Sequence, residues 1–126
     1  MFDSASMKFL EDLLNSASPS GYEAEAAKVF KDYVKGFSDT VYQDVLGNTV
    51  GTLNPNADFR VMLSGHYDEI GFQIVHISDE GLLYFRCNGG IDKLNVPSSE
   101  VDILTSRPCS RSNRQEADSP AEAVGT

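Results

Sequence analysis

The sequence is poor in cysteine and in long apolar runs, and each shortage excludes a class of protein. Its 126 residues include two cysteines, Cys87 and Cys109, which have neither metal-ligand nor redox spacing. We therefore expect a reducing, cytoplasmic location. No uninterrupted apolar segment approaches membrane-spanning length, and the N-terminus lacks the basic and apolar regions of a secretory signal. These absences predict a soluble protein.

Basic residues are also scarce, since 10 Lys and Arg face 19 Asp and Glu and the formal net charge is -9. A charge of this sign is repelled by nucleic-acid phosphates and by anionic membrane surfaces. We therefore expect no nucleic acid and no membrane among the partners. A hydrophobic content of 40% is typical of a globular protein, and the chain is long enough for one modest domain.

The first third of the chain has the apolar period of α-helices. Apolar residues recur on one face between Ser6 and Ser16, and Pro19 disfavours any continuation of that helix. A serine followed three residues later by a glutamate, Ser20 and Glu23, predicts a capping box at the start of a second helix. Gly36 is predicted to end it.

Beyond the second helix the apolar period changes to two, which indicates β-strands. Short strands are predicted at Thr40–Val45 and Thr49–Leu53, joined by a turn that contains Gly47. Residues Gly71–Ile77 and Leu82–Cys87 predict a hairpin.

The remaining segments differ sharply in apolar content. Phe59–Ser64 is apolar at nearly every position, which is typical of an inner strand covered on both faces. Val101–Leu104 is a last strand candidate. Residues 105–126 contain no Leu, Ile, Phe, Tyr or Met, so we expect a disordered tail, a linker, or a stretch translated out of frame.

A histidine and an aspartate follow the apolar run, in the stretch LSGHYDEIGF. Because residues two apart on an extended segment point to the same side, His66 and Asp68 should project together. A neutral imidazole is a ligand for zinc or cobalt, and a neighbouring carboxylate can orient it. The spacing alone leaves open a purely structural pair that closes a turn. Glu69 is interpreted as a structural or solvent-facing acid, His76 as a packed or surface strand residue, and Asp92 as a turn residue.

Four motifs in a fixed order carry a resemblance to a known family. They are SPSGYE at 18–23, DVLGN at 44–48, GHYDEIGF at 65–72 and GGID at 89–92. Together they resemble the N-terminal part of the glutamyl aminopeptidase family, which includes the TET-type di-metal aminopeptidases and some members labelled endoglucanase. The resemblance spans roughly Met7 to Leu104.

The resemblance implies an α/β fold and a domain order. Residues 1–70 would form the N-terminal part of a mixed-sheet metallopeptidase domain with helices on its faces. Residues 71–104 would begin an inserted PDZ-like β domain, and residues 105–126 would be the tail.

The resemblance also implies a chemistry. His66 matches the family's first metal-binding histidine, and Asp68 matches the aspartate counted as catalytic. In such enzymes two divalent metal ions, zinc or cobalt, activate a bridging water that attacks the N-terminal peptide bond. Peptides are the implied substrates, and the full-length family forms homo-oligomers.

The chain departs from the family pattern after Leu104, where the remaining metal ligands and the general base would lie. Tight zinc binding takes about three or four protein ligands, so we expect at most a partial metal site. We also expect a truncated, inactive fragment that is prone to association.

Two other functions stay open on the sequence. One is a non-catalytic small α+β module that mediates subunit contacts. The other is a glycosidase, for which the adjacent acids Asp68 and Glu69 are a poor pair because they point apart.

Overall fold

The computed structural model describes residues 2–97, 99–105 and 115–116. The chain divides into two compact units, Met1–Gly90 and Ile91–Thr126. Apart from residues 105, 115 and 116, the predicted tail lies outside the described residues. None of the helices in the described ranges has the length and apolar character needed to cross a membrane.

Two helices pack against each other in the first unit. Helix α1 covers Ser4–Leu14, and the carboxylate of Asp3 caps it by accepting the Ser6 backbone N–H at 2.7 Å. Helix α2 covers Ala24–Val34. The ring of Phe9 stacks on that of Tyr33, with centroids 3.9 Å apart and planes 9° apart. Both predicted helices are confirmed, and α1 begins earlier than predicted because Asp3 supplies its cap.

The capping box predicted for α2 is wrong. The cap position of α2 is Glu23, whose side chain makes no capping hydrogen bond to the helix. The Glu23 carboxylate instead accepts the backbone N–H of Gly21, and the Ser20 hydroxyl donates to Asp68. The physical reason is a turn ahead of the helix, closed by the Tyr22 N–H donating to the Pro19 carbonyl at 2.8 Å, which leaves the serine hydroxyl bonded to a distant part of the chain.

The predicted short strands form antiparallel pairs. Strand β1 (Thr40–Gln43) pairs with β2 (Thr49–Thr52), and Gly47 in the turn between them has a φ of 93°. Strand β3 (Gly71–Ile77) pairs with β4 (Leu83–Asn88), with a register shift between Ile74 and His76. Both pairings confirm the sequence-based prediction.

The predicted inner strand at Phe59–Ser64 is wrong. No strand is assigned there, and Phe59, Met62 and Leu63 are 81%, 87% and 94% exposed. A strand needs a neighbour that supplies hydrogen-bond partners and a layer that covers its face. Each sheet in the described part of the chain is a two-stranded antiparallel ribbon, so the α/β class is confirmed while the predicted mixed sheet is not.

The core of the first unit lies under α2. Its buried apolar residues are Ala26, Ala27 and Val34, all on that helix. Strand β2 comes close to it at Gly51, where a Cβ atom would lie 3.2 Å from the Cβ of Val34. The core is therefore small, and many large apolar side chains stay exposed.

The second unit contains little regular structure in its described residues. A 3₁₀ turn, Lys93–Asn95, is capped by Asp92, whose carboxylate accepts the Leu94 N–H at 3.0 Å. Strand β5 (Glu100–Val101) pairs with β6 (Gln115–Glu116). The strand predicted at Val101–Leu104 therefore overlaps β5 at one residue.

Candidate metal site

Two segments far apart in sequence meet around Asp68. The loop after α1 runs alongside the segment that leads into β3, with a parallel bridge between Pro19 and Glu69. The Glu69 N–H donates to the Ser18 carbonyl at 2.9 Å, and the Ser20 N–H donates to the Glu69 carbonyl at 3.2 Å. These backbone bonds hold the entry to β3 against the loop.

Two glycines allow this close approach. A Cβ atom on Gly71 would lie 2.9 Å from the Cβ of Pro19, which is closer than real carbon atoms come. Gly89 has a φ of 91°, and a Cβ atom there would lie 3.0 Å from the Cγ2 of Ile70. Both positions therefore require the absence of a side chain.

The side chains of His66 and Asp68 are in contact. His66 Nδ1 lies 2.9 Å from Asp68 Oδ1 and 3.1 Å from the Asp68 carbonyl oxygen. Both neighbours are acceptors when Asp68 is ionised, so a neutral imidazole carries its proton on Nδ1 and keeps the Nε2 lone pair for a ligand. The His66 side chain is 85% exposed. The pair therefore lies on one side of the backbone, as the two-residue spacing predicts.

The second oxygen of Asp68 also has a partner. Asp68 Oδ2 accepts a hydrogen bond from the Ser20 hydroxyl at 2.5 Å. This bond, followed by the hydrogen bond with His66, lowers the pKa of Asp68 below its ordinary value of 3.8, while partial burial opposes them. Asp68 is therefore a carboxylate at neutral pH and can accept both bonds.

The neighbouring acid has a structural role. A Glu69 side-chain oxygen accepts the backbone N–H of Ser18 at 3.1 Å, and Ser18 is 4% exposed. This agrees with the interpretation of Glu69 as a structural acid. Tyr67 anchors the same segment to the β1–β2 turn, because its hydroxyl donates to the Gly47 carbonyl at 2.7 Å.

The His66–Asp68 pair can supply one ligand to a metal ion, the Nε2 atom of His66. In residues 2–97, 99–105 and 115–116, no group of three or more His, Cys, Asp or Glu side chains is close enough to hold a metal ion. The other histidine, His76, lies in β3 with its ring 5.5 Å from that of Tyr84. Sequence reasoning missed Ser20, because its motif also matches a helix cap, and missed Asn88, whose side-chain amide donates to the Ser20 carbonyl.

Comparison with known proteins decides the family. The family model for M42 glutamyl aminopeptidases matches residues 47–111, about half of the chain, and this range includes the GHYDEIGF and GGID motifs. The chain belongs to the M42 glutamyl aminopeptidase family. The matched range runs past Leu104, where the motif resemblance ends.

Individual known proteins match over most of this chain and over a minor part of their own length. The lysyl aminopeptidase of Pyrococcus furiosus is 31% identical over 101 residues, which are 79% of this chain and 29% of that protein. The crystal structure of a TET aminopeptidase from a marine sediment Thaumarchaeota archaeon superposes with a TM-score of 0.73 at 32% identity, covering 78% of this chain and 28% of that one. An endoglucanase structure from Thermotoga maritima matches with a TM-score of 0.69 at 29% identity, over 75% and 30% of the two chains. The chain therefore spans less than a third of these relatives.

Proposed function

We propose that this chain carries the first part of the active centre of a metal-dependent aminopeptidase that removes N-terminal residues from peptides. Family membership supports the activity. The observation that carries the proposal for this chain is the 2.9 Å contact between His66 Nδ1 and Asp68 Oδ1, because it leaves the opposite ring nitrogen available to a metal.

Each residue of the pair has a proposed role. His66 binds a metal ion through Nε2. Asp68 holds the imidazole in the Nδ1–H tautomer and makes it a better ligand, as carboxylates do behind metal-bound histidines. The M42 family additionally implies a catalytic role for Asp68. Two divalent ions, zinc or cobalt, would supply the activation of the attacking water.

One imidazole ligand does not hold two metal ions. Tight binding takes about three or four protein ligands, and no group of three or more His, Cys, Asp or Glu side chains that could hold a metal ion occurs in the described residues. We therefore propose that the 126-residue chain alone binds metal weakly and does not turn over peptides. Further ligands would come from outside the described residues.

The proposal also covers the domain order, the cellular location and the oligomeric state. Residues 1–70 belong to the catalytic domain, residues 71–104 begin an inserted β domain, and residues 105–126 form a tail. The boundary at Gly71 rests on family membership, because the β3–β4 hairpin itself lies within the compact unit Met1–Gly90. The full-length enzyme would be a cytoplasmic homo-oligomer acting on peptides.

A zinc titration of the full chain tests the metal role of His66. We expect weak binding, with a Kd no tighter than roughly 10 μM, that is lost in His66→Gln and kept in the control His76→Gln. His76 is a suitable control because it lies in β3 beside Tyr84. Equal zinc affinity of the wild type and His66→Gln would refute the assignment of His66.

An exposed apolar surface favours the non-catalytic module as a second candidate. Ile74, Val75 and Ile77 of the hairpin are 42%, 52% and 58% exposed, which would suit a subunit contact. The two candidates differ in the zinc titration, because a contact module has no reason to bind zinc through His66.

A further inference from the structure

Ser20 uses each of its polar groups in a bond to another segment. Its N–H donates to the Glu69 carbonyl at 3.2 Å, and its carbonyl accepts the Asn88 side-chain amide at 2.5 Å. Its hydroxyl donates to Asp68 Oδ2 at 2.5 Å. Because the backbone of Ser20 is held on both sides, its hydroxyl has a defined direction.

The hydroxyl bond restrains the carboxylate of Asp68. An ionised carboxylate is acceptor-only, so the Ser20 hydroxyl donates to Oδ2, which at 2.5 Å is a much closer acceptor than the Glu69 carbonyl at 3.5 Å. With Oδ2 held there, rotation of the carboxylate is limited and Oδ1 stays 2.9 Å from His66 Nδ1. The hydrogen bonds from Ser20 to Asp68 and between Asp68 and His66 therefore tie the orientation of the imidazole to the position of the loop after α1.

The alternative role of this serine as a helix cap does not fit the structure. Helix α2 begins at Ala24, and the residue at its cap position is Glu23. The Ser20 hydroxyl bonds to a residue 48 positions away in sequence. A hydrogen bond between residues so far apart in sequence contributes to the metal site and does not cap the helix.

We propose that Ser20 is a positioning residue that, through Asp68, sets the tautomer and orientation of His66. This inference rests on the proposed function, because the benefit of the orientation is a metal ion at Nε2. It adds the loop after α1 to the machinery of the site, and it links the site to β4 through Asn88.

The tautomer of His66 can be measured directly in the full chain without metal. Side-chain ¹⁵N shifts are recorded at about pH 8.5, where an unperturbed histidine is neutral. We expect the wild-type His66 mainly as the Nδ1–H form. In Ser20→Ala the ratio of Nδ1–H to Nε2–H should fall roughly fivefold, since the Asp68 carboxylate is freed on one side. A wild-type ratio in this variant would overturn the proposal.

Three further measurements make the result specific. Ser20→Cys keeps the size of the side chain with a weaker donor, so it should shift the ratio in the same direction even if Ser20→Ala folds poorly. Ser20→Thr keeps the hydroxyl and should restore the wild-type ratio. The control Ser16→Ala removes a hydroxyl that donates to the Leu13 carbonyl in α1 and should leave the ratio unchanged. His76 in each spectrum is an internal reference.

Zinc titration of the same variants separates the two proposals. Loss of zinc binding in His66→Gln together with an unchanged tautomer in Ser20→Ala and Ser20→Cys would leave the proposed function standing and overturn the role of Ser20. A shifted tautomer in the Ser20 variants, together with equal zinc binding by the wild type and His66→Gln, would overturn the proposed function and leave the effect of Ser20 on His66 standing. If both hold, Ser20→Ala should weaken zinc binding roughly threefold to tenfold, below the range for losing a direct partner of the ligand.

Discussion

The close approach of Gly71 to Pro19 makes a stability prediction that also tests the architecture of the site. In Gly71→Ala the new Cβ atom would lie 2.9 Å from the Cβ of Pro19. Carbon atoms in good contact are about 3.5–4.0 Å apart, so one of the two segments must move by roughly 1 Å. Forcing an extra methyl into a packed contact costs about 1–3 kcal/mol.

The cost of Gly71→Ala is measured by urea unfolding of the full chain, with Gly90→Ala as the control because a Cβ atom there meets nothing within 4 Å. We expect the midpoint of Gly71→Ala to fall by the equivalent of about 1–3 kcal/mol and that of the control to change by under about 0.5 kcal/mol.

A double-mutant cycle assigns that cost to one contact. Pro19→Gly removes the carbon atom that the new methyl would strike, so Gly71→Ala should cost at least about 1 kcal/mol less in that background. Equal costs of Gly71→Ala with and without Pro19, or a cost no larger than that of Gly90→Ala, would refute the reasoning that these segments are in contact.

Three other predictions concern the charge of Asp68, the core and the exposed apolar run. Because the pKa of Asp68 is lowered in the folded state, its contribution to the free energy of unfolding is present above pH 3.8 and is lost as the pH falls through the folded-state value. Urea midpoints measured from pH 6 down to pH 2 should therefore decline less in Asp68→Asn than in the wild type. Parallel curves for the two proteins would contradict this. Val34→Ala should lower the free energy of unfolding by about 1–2 kcal/mol because Val34 is 5% exposed, whereas Val45→Ala, at a fully exposed valine, should change it by under about 0.5 kcal/mol. Leu63→Lys should reduce self-association in light scattering without lowering stability, since this leucine is 94% exposed; a large loss of stability would show that the side chain is packed.

Much of the local structure could be predicted because its causes lie within a few residues. The apolar period predicts the first helix, and Gly47 predicts the turn between β1 and β2. Both depend on residues close together in sequence, and both predictions are confirmed. The contact of His66 with Asp68 belongs to the same class, because a spacing of two on extended backbone is enough to bring the side chains together.

Features that depend on distant partners could not be predicted in the same way. Ser20 and Glu23 match a capping box, yet the serine hydroxyl bonds to Asp68. The composition of Phe59–Ser64 suits an inner strand, but a strand is defined by the neighbours that pair with it, and no pairing partner lies beside this run in the described ranges. A local sequence pattern indicates which secondary structure a segment prefers, and the segments that pack or pair with it determine whether that structure forms.

By itself the sequence determined the family, the two helices, the two hairpins and the pairing of an imidazole with a carboxylate, because motifs and periodicity are local properties of the chain. Only the tertiary structure decided that a serine 48 positions away holds that carboxylate. It also decided that the apolar run Phe59–Ser64 is uncovered. Both outcomes depend on which segments meet in space, and no short stretch of sequence contains that information.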